Sequence, residues 1–236
     1  SSVTLINTNV TRDGSFRNGN VTGLLYNIWD KTSTFFIDGS YRMSNIVENG
    51  EITTGHSFDA SIAKAAGNWQ YEAGYQFDDK NFDINDMGVI FRNNRQRIYG
   101  NLSYRILQPK GIFNSIRVNT WFNLNYLHSP GKYTGNNIGI NTFFNTRERF
   151  SFGLRVNGNI GERFDFFEPR REISENRFFT RPPRVGIRGF VSSDYRKKFA
   201  YDIRINKNFF LNNPRDQYSI NISPRYRFSN KFTMIY

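Results

Sequence analysis

The sequence contains no cysteine, only two histidines and no long run of apolar residues. Without cysteine, the chain has neither a disulfide nor a thiolate metal site. Because no run approaches the ~20 apolar residues of a spanning helix, a helical membrane protein is excluded. His56 and His128 each precede a serine, but both lie in register with the apolar residues of their segments. A Ser–His hydrolase needs both groups in one water-accessible site, so we predict no catalytic residues in this segment.

The sequence does contain apolar and polar residues in regular alternation, most clearly over residues 115–127. The apolar positions there are Ile116, Val118, Thr120, Phe122, Leu124 and Tyr126, and the polar positions are Ser115, Arg117, Asn119, Trp121, Asn123 and Asn125. Successive strand side chains point to opposite faces, so this pattern predicts a β-strand with one apolar and one polar face. An amphipathic helix would need apolar residues three and four positions apart.

Thirteen segments of this kind are expected along the chain. They lie at about residues 2–10, 21–29, 34–46, 53–64, 69–78, 96–107, 115–127, 134–146, 149–161, 185–194, 199–210, 217–228 and 232–236. Their connections alternate between longer and shorter ones, and the longest cover residues 162–184 and 79–95. Short turns at one end and long loops at the other are typical of outer-membrane barrels. The sequence therefore predicts an all-β fold, a transmembrane antiparallel up-and-down β-barrel of the outer-membrane type.

A soluble antiparallel sandwich or a lipocalin-like barrel is the alternative for such a pattern. The segments reach about ten residues or more, which is the length of a tilted membrane-crossing strand. The chain has 24 Phe and 13 Tyr, many of them near strand ends, where membrane barrels place their aromatic girdles. Both observations favour the membrane barrel over the soluble sheet.

The net charge is +12, from 32 Lys and Arg against 20 Asp and Glu. The arginines are spread singly over many strands and do not cluster with stacking aromatics, so nucleic acid is not a predicted partner. Six of them occupy mid-strand polar positions: Arg105, Arg117, Arg155, Arg188, Arg204 and Arg225. We consider them candidates to line an anion-favouring lumen. They could equally form cross-strand ion pairs in a filled barrel with Asp38, Asp59, Glu72 and Asp202.

Two long connections contain candidate binding residues. In residues 162–184 these are Phe164, Phe166, Phe167, Arg170, Phe178 and Phe179. Such a loop could act as a lid, dock a partner, or pack on itself and seal the barrel. In the other connection, Asp79, Asn81 and Asp83 have the alternating oxygens of a calcium loop, without its Gly and Glu. Calcium is thus a weak candidate beside a polar loop closed by Asx turns, and we predict no cofactor.

Several short strings carry a family resemblance. They are SVTLINTN at 2–9, FDINDMG at 82–88, SYRILQP at 103–109 with FNS at 113–115, FEPR at 167–170, and SDYRKKF at 193–199. In these strings the chain resembles the barrel region of a Bacteroidetes outer-membrane family called DUF5916. The resemblance implies an upstream domain similar to carbohydrate-binding module family 9, followed by a large barrel. No sugar-binding or catalytic residues carry over, because the strings fall on strands and loops.

We expect residues 1–236 to be a segment of one outer-membrane barrel domain, with further domains upstream and long loops outside the cell. Thirteen is an odd strand number, which supports a larger barrel. The predicted function is non-enzymatic, as a channel or membrane anchor linked to carbohydrate binding or handling at the cell surface. Expected partners are outer-membrane lipids, lipopolysaccharide, oligosaccharides and other outer-membrane proteins. The alternatives are a barrel subunit that docks partners through its loops, and a glycan hydrolase with an upstream active site.

Overall fold

The computed structural model of the protein describes residues 1–14, 17–168 and 177–236. The described residues form one antiparallel sheet of 13 strands and a separate two-stranded hairpin, without a helix. The sheet contains β1 (Ser2–Val10), β2 (Asn18–Trp29), β3 (Phe35–Glu48), β4 (Glu51–Lys64), β5 (Trp69–Asp78), β6 (Arg95–Ile106), β7 (Phe113–Leu127), β8 (Tyr133–Thr146), β9 (Ser151–Asn159), β12 (Arg184–Ser192), β13 (Phe199–Phe210), β14 (Gln217–Arg227) and β15 (Thr233–Ile235). The hairpin contains β10 (Arg163–Asp165) and β11 (Phe179–Arg181). No helix able to span a membrane is found in the described ranges.

The strands are paired in chain order, so each one is hydrogen-bonded to its neighbours in sequence. The exception is the step from β9 to β12, which encloses the β10–β11 hairpin. This meander confirms the predicted all-β antiparallel fold and its thirteen strands, with bounds that move by a few residues. The short hairpin within residues 162–184 was not predicted. The sheet is not closed, because β1 and β15 lie at its two edges and do not pair with each other.

One face of the sheet is apolar and exposed. Ile28, Ile37 and Ile62 are register neighbours on β2, β3 and β4, and their side chains are 48%, 47% and 54% exposed. The same face continues at the other end of the sheet with Leu154, and with Ile205 paired to Ile220. The opposite face carries the polar positions of each strand. Most of the exposed large apolar side chains of the strands therefore lie on this one face, and Ile6, Leu25 and Ile235 are exposed on the other.

Glycines let large rings lie across the strands on both faces. A Cβ at Gly139 would lie 2.3 Å from the indole of its register partner Trp121, on the polar face. A Cβ at Gly100 would meet the ring of Phe122 at the same distance on the apolar face. An aromatic ring that covers a glycine on the neighbouring strand fills the gap in the packing. These pairs help to explain why the sheet tolerates glycine within its strands.

The connections divide into two ends, as the alternating strand directions require. Residues 11–17, 79–94 and 160–183 join strands at one end, which we call the long-loop end. The shorter connections 49–50, 128–132 and 211–216 share that end, and residues 30–34, 65–68, 107–112, 147–150, 193–198 and 228–232 connect strands at the opposite end. The largest fully buried side chains include Phe82, from the loop 79–94, and Ser44, Ser57 and Asp78 from the strands beneath it. Most of the largest fully buried side chains in the described residues therefore lie in or beneath loop 79–94, at the long-loop end.

Candidate functional site

The structure places the six predicted arginines on the polar face. Arg105 is the register partner of Arg117, and Arg155 is the register partner of Arg188. Within the described residues, none of Arg105, Arg117, Arg155, Arg188, Arg204 and Arg225 forms an ion pair. Like charges directly opposite each other are destabilising unless solvent or a bound anion screens them. The polar face therefore carries uncompensated positive charge.

Aromatic rings and amides take the place of carboxylates around these arginines. The guanidinium of Arg155 lies 4.8 Å from the ring centre of Trp121, and that of Arg225 lies 4.3 Å from Tyr195. Arg188 donates a hydrogen bond to the amide oxygen of Asn206. Such cation–π and amide contacts position a guanidinium without neutralising it.

The acidic side chains of the polar face are held largely by hydroxyl groups. Ser61 donates to Asp38 over 2.6 Å, and the Asp202 carboxylate accepts from Ser192. Asp59 accepts from Ser40 and also lies 3.5 Å from Arg42. The cross-strand ion pairing that the sequence left open as one alternative is therefore not formed by the six arginines within the described residues.

Loop 79–94 folds back over the polar face of β2 to β4. A Cβ at Gly55 would lie 2.2 Å from the backbone nitrogen of Phe82, so the loop backbone approaches the strand directly. The Phe82 ring is buried, with the guanidinium of Arg42 5.7 Å from its centre. The backbone amide of Asp83 donates to the hydroxyl of Ser44 over 3.1 Å. A residue with a side chain at position 55 would push this loop away.

Two arginines of the first long connection hold the same loop at its far side. Arg17 donates to Asp86 over 2.7 Å and to Asp83 over 2.8 Å, and Arg12 donates to Asp86 over 2.8 Å. The hydrogen bond from Arg17 lowers the pKa of Asp86, and the two carboxylates raise the pKa of Arg17. At Asp83 burial opposes ionisation, but hydrogen bonds from Asn85 and Arg17 outweigh it and lower the pKa. We call this cluster the loop latch.

The two carboxylates among the weak calcium candidates, Asp79 and Asp83, already accept hydrogen bonds from donors of the chain. Asp79 accepts from the backbone amides of Asn81, Phe82 and His56, all within 2.8 Å. The contacts from Asn81 and Phe82 form an Asx turn of the kind that closes polar loops, and the contact from His56 ties this turn to β4. In the parts of the chain that the structure describes, no group of three or more His, Cys, Asp or Glu side chains is arranged to hold a metal ion.

The Phe-rich residues of the longest connection pack mainly on one another. The ring centre of Phe178 lies 5.1 Å from that of Phe164 and 5.2 Å from that of Phe166, which is buried. Phe179 remains 57% exposed. Phe167 points instead to loop 79–94, where the guanidinium of Arg92 lies 5.0 Å from its ring centre. Arg170 lies outside the described residues.

Between these two loops and the strands β5 to β8 lies an open cleft at the long-loop end, which we call the rim cleft. It has two adjoining parts, of about 480 Å³ and about 390 Å³. Both parts share Arg92, Asn125, Thr134, Asn137 and Phe167. The first part adds Arg95, Arg97 and Asn123, and the second adds Gly135, Asn136, Arg163, Phe164, Asp165 and Arg181. The lining therefore combines guanidinium, amide and aromatic groups.

Only part of the positive charge in the rim cleft is compensated. Arg95 is paired with Asp78 over 2.7 Å, and Arg181 with Asp165 over 2.9 Å. In the second part, burial lowers the pKa of Arg163, and the neighbouring Arg184 and Arg181 lower it further. A guanidinium whose pKa is lowered by other guanidiniums is in a positive field that favours a bound anion.

Sequence reasoning did not identify the rim cleft, although it identified some of its parts. Arg95 and Arg97 are at the polar positions of β6, so the alternation of apolar and polar residues in that strand could have placed them on the polar face. Arg92 lies in a loop and Arg163 begins the three-residue strand β10, and neither segment is long enough for an alternating pattern to predict the side-chain direction. His56 and His128 are on the apolar face, near Tyr41 and Phe77 respectively, and are not brought together with each other.

No curated protein and no solved structure matches the chain. One family does, over residues 1–236, and it is described as a domain of unknown function. The match covers every strand of the sheet, both long loops and the rim cleft. The chain belongs to this family, DUF5916.

Proposed function

We propose that this chain is part of an outer-membrane β-barrel whose polar face lines a passage for, or a surface that binds, carbohydrate at the cell exterior. The observation that supports this is the division of the sheet into an exposed apolar face and a polar face with unpaired arginines. A soluble protein rarely exposes an apolar surface that continues across a whole sheet. Lipid against the apolar face would satisfy that surface.

The open edges of the sheet fit this proposal only if they are paired in the membrane. Unpaired backbone groups cost several kcal/mol each in hydrocarbon, so spanning sheets close. We propose that β1 and β15 pair either with each other or with further strands of a larger barrel. The long-loop end then faces the outside and the end with the shorter turns faces the periplasm.

The loops of the long-loop end support a restricted passage or a binding mouth. Loop 79–94 lies over the polar face of β2 to β4, and Phe167 approaches it through Arg92. Amide, guanidinium and aromatic groups line the opening between them. These groups can donate to sugar hydroxyls and pack against the faces of sugar rings. Together with the family resemblance, this favours carbohydrate as the solute.

The proposal is tested with the full-length protein in a planar lipid bilayer, with neutral and acidic oligosaccharides added in turn. We expect discrete openings that prefer anions and are blocked by a sugar. Neutralisation of a facing pair, Arg105→Gln with Arg117→Gln, should reduce the preference for anions. Lys207→Gln, which removes a charge from the apolar face, should leave it unchanged. A bilayer that stays silent after confirmed insertion, with no sugar binding in solution, would exclude both versions of the proposal.

A second candidate function is the docking of another outer-membrane protein at the long-loop end. Phe91 is 94% exposed and Val89 is 67% exposed on loop 79–94, and Phe179 is also exposed on the hairpin. Exposed aromatic side chains at a rim are typical anchors for a partner protein. Loss of a co-purifying outer-membrane protein after Phe91→Ser would support this alternative, and an unchanged set of partners would oppose it. The hydrolase alternative assigns its active site to chain outside residues 1–236 and stays a prediction.

A further inference from the structure

The second part of the rim cleft contains more positive than negative charge. Arg92, Arg163 and Arg181 line it, and Asp165 is its only lining carboxylate among the described residues. Asp165 is engaged twice over, by Arg181 at 2.9 Å and by the backbone amide of Phe167 at 3.1 Å. The two carboxylate oxygens of Asp165 are therefore engaged by Arg181 and by the backbone of Phe167. Arg92 and Arg163 line the cleft, and neither forms an ion pair in the described parts of the chain.

Arg163 is held in place by packing. Its side chain crosses Gly135 of β8, where an added Cβ would lie 2.8 Å from its Cγ. Its Nε is buried and has no hydrogen-bond acceptor among the described residues, and the same holds for Nε of Arg184 on the neighbouring β12. Because the chain offers this N–H no acceptor, the Arg163 guanidinium is not neutralised locally, and it lines the cleft where an oxyanion can approach its outer N–H groups. The positive field that lowers the pKa of Arg163 acts in the same direction.

Arg92 approaches the cleft from the other loop. Its described contact is with the Phe167 ring, at 5.0 Å. A guanidinium over an aromatic ring keeps its N–H groups at the ring edge available for an oxyanion. Arg92 and Arg163 therefore flank one space from two different loops.

The remaining lining suits a sugar. Asn123, Asn125 and Thr134 provide amide and hydroxyl groups beside the arginines, and Phe164 and Phe167 provide apolar faces. The two adjoining parts, of about 480 Å³ and 390 Å³, each fall in the range of sites for small ligands. A ligand that extends through both would place neutral rings among the amides and a charged group beside Arg163.

We propose that the rim cleft binds oligosaccharides that carry carboxylate or sulfate groups, with Arg163 and Arg92 holding the oxyanion. The inference rests on the proposed function, in that it names the class of carbohydrate handled at the long-loop end. Carboxylate and sulfate each present at least two anionic oxygens that two N–H groups of one guanidinium can bind together. Oligosaccharides with carboxylate groups and those with sulfate groups are distinguished by testing one probe of each kind.

The experiment is calorimetric titration of the full-length protein in detergent micelles with four probes. These are a galacturonic acid oligomer, a sulfated galactose oligomer, a neutral glucose oligomer of the same length, and inorganic sulfate alone. We expect one or both acidic oligomers to bind, the neutral oligomer to bind at least about tenfold more weakly, and affinity to fall with added salt. Equal affinity for the neutral and acidic oligomers would overturn the inference, and so would binding of inorganic sulfate as tight as that of the oligomers.

Matched variants locate the site. Arg163→Gln and Arg92→Gln should each weaken binding of the acidic oligomer by about 10- to 100-fold, as expected for loss of a charge-assisted hydrogen bond. Arg215→Gln removes the same charge from an exposed loop at the same end and should have no effect. Equal affinity in Arg163→Gln and the parent protein would place any binding elsewhere. Circular dichroism of each variant confirms that the sheet is retained.

The acidic-oligosaccharide site and the membrane passage can each be refuted without refuting the other. A protein that opens channels in a bilayer but binds no acidic oligomer retains the proposed function and refutes this inference. A protein that binds the acidic oligomer through Arg163 but neither inserts nor conducts retains the site and refutes the membrane passage.

Discussion

The guanidinium carbon of Arg92 lies 5.0 Å from the centre of the Phe167 ring, and this contact joins the two longest loops of the protein. Arg92 belongs to loop 79–94 and Phe167 follows β10 in the connection between β9 and β12. Because each loop is otherwise fixed to a different part of the sheet, the pair closes the rim cleft from above the polar face. Its strength, about 0.5–1 kcal/mol at an exposed site, suits a contact that opens and closes.

Replacement of the ring should therefore separate the loops without unfolding them. In Phe167→Leu we expect faster amide hydrogen exchange in residues 79–94, with unchanged exchange in the sheet. Phe179→Leu is the matched control, since it removes an exposed ring from the same hairpin. Exchange in loop 79–94 that responds equally to both variants would show that the Arg92–Phe167 contact does not restrain it.

The loop latch predicts a response to acid. Arg17 binds Asp86 and Asp83, and the folded-state pKa of each carboxyl is below its ordinary value of about 3.9. A lowered pKa means that the contacts contribute fully above about pH 4 and are lost as the pH falls through the folded-state pKa. We expect protease cleavage within residues 79–94 to increase below about pH 4.

The matched variant for the latch is Arg17→Gln. It removes the partner of both carboxylates, so cleavage of loop 79–94 should be raised already at neutral pH and should depend less on acid. Proteinase K compares the two proteins at neutral pH and pepsin compares them below about pH 4, each at short exposure so that the sheet stays intact. Cleavage that rises equally with acid in the parent and the variant would assign the response to other groups.

Much of the sheet could be predicted because the alternation of apolar and polar residues within each strand is a local property of the sequence. Alternation within 115–127 places Phe122 and Trp121 on opposite faces, and the register of β6, β7 and β8 then follows from keeping the apolar positions together. The six polar-face arginines were found in this way. The alternation of apolar and polar residues could not predict that these arginines form no ion pairs. Asp202 and Asp38 are on the same face as the arginines, but they accept hydrogen bonds from the hydroxyls of Ser192 and Ser61.

The site at the long-loop end depends on contacts between residues far apart in the chain. Arg17 and Asp86 are separated in the chain by four complete strands, β2 to β5, and nothing in the sequence around either residue indicates the other. The approach of Phe82 to Gly55 is of the same kind, although a glycine in the middle of an alternating strand does signal that backbone or a ring comes close. The short hairpin β10–β11 lacked a strand-length pattern, since it has three residues in each strand.

Glycines under rings or loops should be sensitive to a single added methyl group. Gly139→Ala would drive a Cβ to within 2.3 Å of the Trp121 indole, and we expect a loss of about 1–3 kcal/mol in the free energy of unfolding. Gly189→Ala is the control, because no atom lies within 4 Å of the added Cβ. It should be neutral, or stabilising by up to about 1 kcal/mol. Urea unfolding in detergent, followed by tryptophan fluorescence, compares the two, and equal stabilities would contradict the packing described for Trp121.

The two ends of the sheet should be separated by a membrane. The chain has no cysteine, so single cysteines report position without background from these residues. Val89→Cys lies on loop 79–94, where the parent side chain is 67% exposed, and Lys197→Cys lies in the turn at the opposite end. On intact cells, a membrane-impermeant maleimide should label Val89→Cys and leave Lys197→Cys unlabelled.

After the outer membrane is permeabilised, both variants should react, which shows that Lys197→Cys is present and folded. The parent full-length protein, carried through the same labelling, reports any cysteine elsewhere in the protein. Labelling of Lys197→Cys alone on intact cells would reverse the orientation while keeping the membrane. Equal labelling of both on intact cells, with a periplasmic marker protected, would mean that both ends share one compartment, and the apolar face would then have to be covered by protein rather than lipid.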